Sequence, residues 1–243
     1  LGPQEQDDTP PETEDRVWPR VDAATQAMRL AYLTNVEKQL DALRPAALSI
    51  DGAENLAIYR AQIDVTLNQL KYREYEKPLN ADTAFWSGPP SSVPKAFRTE
   101  AAARAWIARL RDLPRYFSEQ TANMKAGLAR GFTPPRVTLE GRDKSISIIY
   151  DGKTPETSPF YEPFKTLPAS IPADTRAALQ ADAAAAIRDA VFPAYRELFA
   201  YYSSEYYPKS RTDLAATTLP DGQAYYRSLI KEYATVDTSA EDI

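Results

Sequence analysis

Residues 173–208 have the sequence ADTRAALQADAAAAIRDAVFPAYRELFAYYSSEYYP, and this stretch decides the fold class. Its apolar side chains recur every three or four residues, which places them on one side of an α-helix: Leu179, Ala183, Ile187 and Val191. Asp174 or Thr175 is placed to cap that helix. We expect Pro193 to kink or restart the rod, because proline lacks a backbone donor, and Pro208 to end it.

The same periodicity predicts further helices on both sides of this stretch. Two begin near Val21 and Asp51 and should pair as an antiparallel hairpin. Their expected inward stripes are Met28, Tyr32, Val36, Leu40 and Leu43, followed by Leu56, Tyr59, Ile63, Leu67 and Leu70. Thr99 caps a third helix, Pro114 suits the first turn of a fourth, and a last helix opens near Asp221.

Between the helices lie long segments rich in proline and glycine, at residues 72–98 and 151–171. Residues 136–150 fit either a strand or a helix, and we favour helix because Pro135 is well placed to start one. The predicted fold is therefore mostly α, built of helical hairpins and long helices with extended proline-rich loops. It comprises a flexible acidic leader at residues 1–20 and a helical region at residues 21–243.

The chain of 243 residues contains neither histidine nor cysteine. Zinc sites built on imidazole or thiolate, and nucleophile systems that need histidine, are therefore excluded from these residues. No glycine-rich phosphate loop occurs either. We expect no cofactor in this chain, and carboxylates, tyrosines, lysines and arginines remain for any chemistry.

Charge is unevenly distributed along the chain. Residues 1–16 hold six of the 34 acids and one of the 29 bases, so the remainder carries 28 of each sign. A neutral body with interspersed charges argues against a nucleic-acid partner. No stretch approaches the roughly 18 apolar residues of a membrane span, so we expect no transmembrane segment.

The last residues, Thr238 to Ile243, contain the elements of a helix start. Ser239 sits at an N-cap position and Asp242 lies three residues on, close to a capping box. We therefore expect the chain to be truncated, with a further helix beginning where it ends.

Tyrosine is used 15 times and forms three adjacent pairs, at residues 201–202, 206–207 and 225–226. Neighbouring helical residues point about 100° apart, so one tyrosine of each pair can pack inward while the other faces a groove. The simpler interpretation is that all of them pack helices while their hydroxyls reach the surface.

Three further candidates lie in or beside loops. Asp221, in the turn Leu219-Pro220-Asp221-Gly222, could meet a substrate amine, although a helix cap accounts for it equally well, with Gly222 allowing close backbone contact. Asp82 and Trp86 occupy a proline- and glycine-containing loop, where binding residues concentrate. The alternative for that loop is a segment held in place by one buried indole.

Six segments taken together suggest a family. They are LDALRP at 40–45, YEKPLN at 75–80 leading into DTAFW at 82–86, LRDLPRYF at 110–117, GLARGFTPPRV at 127–137, PAY at 193–195 and LPDGQAYY at 219–226. In this order and spacing they resemble the N-terminal half of the bacterial domain-of-unknown-function family number 885. The resemblance covers residues 25–243.

This resemblance implies a helical zinc metallopeptidase that is exported to the periplasm or beyond. The zinc-binding HExxH helix of the family would follow residue 243, so zinc belongs to a C-terminal catalytic half that is the expected partner of this chain. What carries over is one wall of a cleft for a peptide substrate, with Asp221, Tyr225 and Tyr226 as the best-matched residues, and no metal or catalytic residue.

Two hypotheses therefore remain. In the first, the chain is the non-catalytic N-terminal half of a zinc peptidase and is inactive alone. In the second, it is a self-sufficient helical module that binds a partner without catalysis. The first also predicts an exposed, tyrosine-rich apolar face on the helices around residues 195–207 and 221–234, where the catalytic half would pack.

Overall fold

The computed structural model describes residues 17–44, 47–236 and 238–242, and helices dominate it. No β-strand occurs among these residues, so the mostly α fold class is confirmed. The α-helices are α1 (Ala23–Asp41), α2 (Ile50–Lys71), α3 (Gly88–Ser91), α4 (Glu100–Ala129), α5 (Asp143–Ser147), α6 (Ala173–Ala186), α7 (Phe192–Tyr201), α8 (Tyr207–Lys209) and α9 (Gly222–Ala234). Most of the acidic leader, and Pro45, lie outside the described residues.

The helical region divides into two compact units, each assembled from separate stretches of chain. Among the described residues, the first unit combines residues 17–20, 84–118 and 141–204. The second combines residues 21–83, 119–140 and 205–242.

The core of the first unit contains the periodic stripe that the sequence predicts on α6. Leu179, Ala183, Ile187 and Val191 are all fully buried, which confirms the stripe. The helix begins at Ala173 with Pro172 at the N-cap position, so neither Asp174 nor Thr175 is the cap.

The chain stays helical from Ala173 to Lys209 although two prolines interrupt the hydrogen-bond ladder. A π-helical segment, Ile187–Val191, ends two residues before Pro193, and another, Tyr202–Tyr206, ends two residues before Pro208. The wider π turn changes the pairing where proline offers no donor. The predicted restart at Pro193 is thus a local change of helix type.

A third proline lies inside α4, where the sequence predicts a boundary between two helices. Glu100–Ala129 is one helix and Pro114 is in its interior, so that prediction is wrong. An interior proline costs about 3 kcal/mol. Buried side chains on both sides of it, Leu110, Leu113 and Phe117, anchor the helix and offset this cost.

In the second unit, α1 and α2 form the predicted hairpin around a small apolar cluster. Its buried members are Leu40, Leu56 and Ile63, with Leu33, Val36 and Leu67 packed against them. The rest of the predicted stripes faces solvent, because the two helices share only a narrow line of contact. The exposed members are Met28 (65%), Tyr32 (67%), Leu43 (47%) and Tyr59 (47%).

The uncertain segments are also helical. Residues 136–150 form a 3₁₀ turn, Arg136–Leu139, and α5, as favoured from the sequence. In the proline-rich loop that follows, Phe160 and Phe164 are fully buried and fix its path. Beyond α9, residues 238–242 form a turn in which the Ser239 hydroxyl donates to the Asp242 carboxylate at 2.6 Å.

Candidate functional site

The five residues proposed from the sequence fall into different units. Trp86 belongs to the first unit, whereas Asp82, Asp221, Tyr225 and Tyr226 belong to the second. Each unit therefore has to be described separately.

In the first unit, Trp86 is a core residue with 1% of its surface exposed. Its indole nitrogen donates to the Ser145 hydroxyl at 3.0 Å, and its ring packs edge-on against Phe85 and Tyr202. Its carbonyl accepts a 2.7 Å hydrogen bond from the Tyr195 hydroxyl. These contacts support the alternative interpretation, in which one buried indole holds the loop.

Asp82 lies in a tight turn of the second unit and is exposed. Its backbone nitrogen donates to the Asn80 side-chain oxygen at 2.8 Å, and the nitrogen of Thr83 donates to the same oxygen at 2.7 Å. The turn therefore depends on the side chain of Asn80. The carboxylate of Asp82 faces solvent.

Asp221 immediately precedes α9 in a left-handed conformation, with φ 55°. Its side chain makes no capping hydrogen bond and is exposed, so the cap interpretation is wrong. The backbone of α9 begins here because Gly222 approaches another segment closely. A Cβ atom on Gly222 would lie 2.5 Å from the carbonyl oxygens of Ala216 and Thr217, so the predicted close contact is confirmed.

The pair Tyr225 and Tyr226 divides as predicted. Tyr225 is 3% exposed and Tyr226 is 38% exposed. The ring of Tyr225 packs against those of Tyr72 and Phe132, with each pair of ring centroids 5.4 Å apart. One hydroxyl is thus enclosed and the other is open to solvent.

The two other tyrosine pairs do not follow this division. Tyr201 and Tyr202 are both buried, and Tyr206 is fully buried beside a partly buried Tyr207. The helix there is covered on several sides, so a 100° rotation does not bring a ring to solvent. The exposed tyrosine-rich face predicted around residues 195–207 is therefore absent from the described structure.

Sequence reasoning missed the partners of Tyr225, which come from the segment just after α2. The Lys77 ammonium donates to the Tyr225 hydroxyl at 3.4 Å and lies 5.1 Å from the centre of the Phe132 ring. The side chain of Glu74 is also hydrogen-bonded to Tyr225. The signal was available in the motif YEKPLN, but sequence alone does not bring it beside α9.

Burial shifts the pKa values of all three groups toward their neutral forms. It raises the pKa of Glu74 and lowers that of Lys77, with Arg211 and Arg130 lowering the latter further and Glu74 opposing them. Burial, together with the charge of Glu74, raises the pKa of Tyr225 well above its usual value. The three side chains form a desolvated acid, phenol and amine in hydrogen-bonding sequence.

A buried ion pair fixes the segment that holds Lys77. Glu76, 4% exposed, is paired with Arg130, whose guanidinium also donates to the Tyr72 carbonyl at 2.7 Å. The same guanidinium stacks 4.0 Å from the centre of the Phe132 ring. The backbone turn therefore holds Glu74 and Lys77 in one orientation.

A separate groove of about 370 Å³ runs along the hairpin in the same unit. Its lining is mostly apolar and aromatic and includes Tyr32, Leu33, Leu70 and Tyr75, with Glu74 at one end. The described residues contain no group of three or more His, Cys, Asp or Glu side chains that could hold a metal ion.

Comparison with known proteins identifies a family and a fold. A family model described as "Bacterial protein of unknown function (DUF885)" matches residues 4–243. A search of curated proteins gives no significant match. A solved chain, the "putative lipoprotein from Colwellia psychrerythraea", is similar, with a TM-score of 0.80 and 17% sequence identity.

That similarity covers 94% of this chain but 41% of the solved chain, so this chain spans less than half of its length. At this identity the likeness shows the fold. Within the described residues, none of the helices has the length and apolar content that a membrane span requires.

Proposed function

The chain belongs to the DUF885 family of bacterial proteins of unknown function, and from this premise we propose that it is the N-terminal, non-catalytic part of an exported zinc peptidase. In this proposal it supplies one wall of a peptide-binding cleft. The observation that carries the proposal is the shared fold with a chain more than twice as long.

The donor set of this chain does not fit a zinc ion. Zinc favours nitrogen and sulfur ligands, and the sequence contains neither histidine nor cysteine. The described carboxylates form no cluster of three that could replace them. Zinc and its ligands would therefore come from residues beyond these 243.

The start of α9 offers the groups that a cleft wall needs. The Asp221 carboxylate and the Tyr226 ring are both exposed, one at the N-terminus of the helix and the other one turn further on. A carboxylate can bind the amine of a peptide, and a phenol can donate to a peptide carbonyl. Tyr225 supports Tyr226 from the core and needs no contact with substrate.

Export is the remaining part of the proposal. It draws on the solved relative, which is described as a lipoprotein, and on the family resemblance. A cell fractionation that finds the protein with periplasmic or envelope markers supports it, and recovery with cytoplasmic markers opposes it.

The alternative function is a helical module that binds a partner without catalysis. The groove along α1 and α2 favours it, because its aromatic and apolar lining is typical of ligand sites. Under this alternative the reading frame would contain no metal-binding helix, and binding would depend on Tyr32 at the groove and not on Tyr226.

Reading the gene past codon 243 separates the two functions. An HExxH motif close to that point supports the peptidase, and a stop codon supports the binding module. If the frame continues, the longer protein should contain stoichiometric zinc and hydrolyse peptides in a chelator-sensitive manner.

The role of the cleft wall is then tested in the longer protein with Asp221→Asn, Tyr225→Phe and Tyr226→Phe, made one at a time. A cleft role predicts a clear fall in kcat/KM with unchanged melting for Asp221→Asn or Tyr226→Phe. If activity falls only as far as stability does in all three variants, these residues are scaffold.

A further inference from the structure

Lys77 differs from every other lysine of the chain in its surroundings. The chain has ten lysines, all within the described residues, and the other nine are exposed. Lys77 alone is partly buried, with its amine 5.1 Å and 5.5 Å from the centres of the Phe132 and Tyr225 rings. Enough of its side chain reaches solvent for a small molecule to approach.

From these contacts we infer that Lys77 is a nucleophilic amine that condenses with small oxo acids, compounds that carry a carbonyl and a carboxylate. This inference is independent of the proposed peptidase role. It rests on the aromatic surroundings of the amine, on its hydrogen bond to Tyr225 and on the charges nearby.

The neighbours of Lys77 favour the uncharged amine. Removing an ammonium from water penalises its charge, and nearby cations add to that penalty, which is how proteins activate lysine as a nucleophile. The guanidiniums of Arg130 and Arg211 act on Lys77 in this sense, against the single carboxylate of Glu74. The pKa of Lys77 is lowered accordingly, chiefly by burial.

The same charges select the class of compound. Two guanidiniums against one carboxylate leave a local excess of positive charge, which attracts the carboxylate of an oxo acid. Both guanidiniums keep their structural hydrogen bonds, Arg130 to the Tyr72 carbonyl and Arg211 to the Thr133 carbonyl. Attraction therefore comes from their field and needs no new contact.

The chemical step is a condensation that releases water. The lone pair of the neutral Lys77 amine attacks the carbonyl carbon and forms a carbinolamine, in which the former carbonyl oxygen has gained a proton. Loss of the hydroxyl with a second proton gives the imine and one water molecule. Glu74 and Tyr225 are hydrogen-bonded next to the amine, and Glu74, whose pKa is raised by burial, is suited to carry the proton.

The test is reductive labelling of the whole chain with glyoxylate and sodium cyanoborohydride at pH 7, followed by peptide mass spectrometry. Lys77 should be modified about five times faster than the average of the nine exposed lysines, which serve as internal controls. Labelling spread evenly over the lysines, or slower at Lys77 than elsewhere, would overturn the inference.

Two further arms define the mechanism. Acetaldehyde, which lacks the carboxylate, should label Lys77 with less preference, and equal preference for both compounds refutes the oxo-acid assignment. In Glu74→Gln the labelling of Lys77 at pH 7 should rise, because the carboxylate that favours the ammonium is gone. Unchanged or slower labelling in that variant contradicts the electrostatic argument, and unaltered circular dichroism shows that the fold is intact.

Discussion

The Lys77 amine lies 3.4 Å from the Tyr225 hydroxyl, although the two residues are 148 positions apart in the sequence. One comes from the turn after α2 and the other from the first turn of α9. This contact links the YEKPLN and LPDGQAYY motifs, which look unrelated in the sequence. It also marks where buried charge concentrates in the second unit.

Tyr225→Phe removes the hydroxyl that bridges Lys77 and Glu74 but keeps the ring. We expect the free energy of unfolding to fall by about 1 kcal/mol, the usual net value of such a hydrogen bond. Urea denaturation measures this, and Tyr226→Phe, on the exposed neighbour, is the matched control. A loss in the control as large as in Tyr225→Phe would contradict the assignment.

Gly222→Ala should destabilise the second unit. The new Cβ would lie 2.5 Å from two backbone oxygens, so α9 would have to shift, at a cost of about 1–3 kcal/mol. Gly88→Ala is the control, because a Cβ there meets no atom within 4 Å and that backbone is helical. Thermal melting should fall for the first variant and hold or rise slightly for the second.

Arg130→Met leaves the buried Glu76 without its main partner. Breaking a buried pair by removing one member costs about 3–5 kcal/mol, and the exposed Arg73, 3.4 Å from Glu76, compensates only in part. Adding Glu76→Gln to this variant removes the uncompensated charge and should recover part of the loss. If chemical denaturation shows no recovery, the loss comes from packing of the arginine side chain.

Stability at low pH should depend on Asp112 in the first unit. Burial alone would raise the pKa of this carboxyl, but hydrogen bonds from the Arg115 side chain and the Trp18 backbone nitrogen lower it overall. Because the folded-state pKa lies below the unfolded one, near 4, the stabilisation is complete above that pH. It is lost as pH falls through the folded-state value.

Asp112→Asn should therefore flatten the dependence of unfolding free energy on pH below about pH 4. Asp82→Asn, at an exposed carboxylate, is the control and should leave the curve unchanged. An identical acid limb in wild type and Asp112→Asn would show that Asp112 does not contribute to it.

The 243-residue chain by itself should bind zinc only weakly and hydrolyse no peptide, because carboxylates alone make a poor zinc site. Metal analysis after dialysis and a fluorogenic peptide assay, each with and without chelator, measure this. Stoichiometric zinc or chelator-sensitive hydrolysis would refute the division of roles proposed for this chain.

The sequence by itself determined the helical fold class, the hairpin and the buried stripe of α6, because a period of 3.6 residues is a local property of the chain. It also determined that Gly222 permits close backbone contact and that Tyr225 and Tyr226 point in different directions. Local rules failed at Pro114 and Pro193, where they predict a break. Buried side chains and π turns, which depend on the rest of the core, keep those helices continuous.

Only the tertiary structure decided which polar groups lose water and which partners they meet. Glu74, Lys77 and Tyr225 look like ordinary surface or packing residues in sequence, and Trp86 looks like a loop residue. Desolvation and charge coupling depend on distances between segments far apart in the chain, and no local pattern encodes those distances.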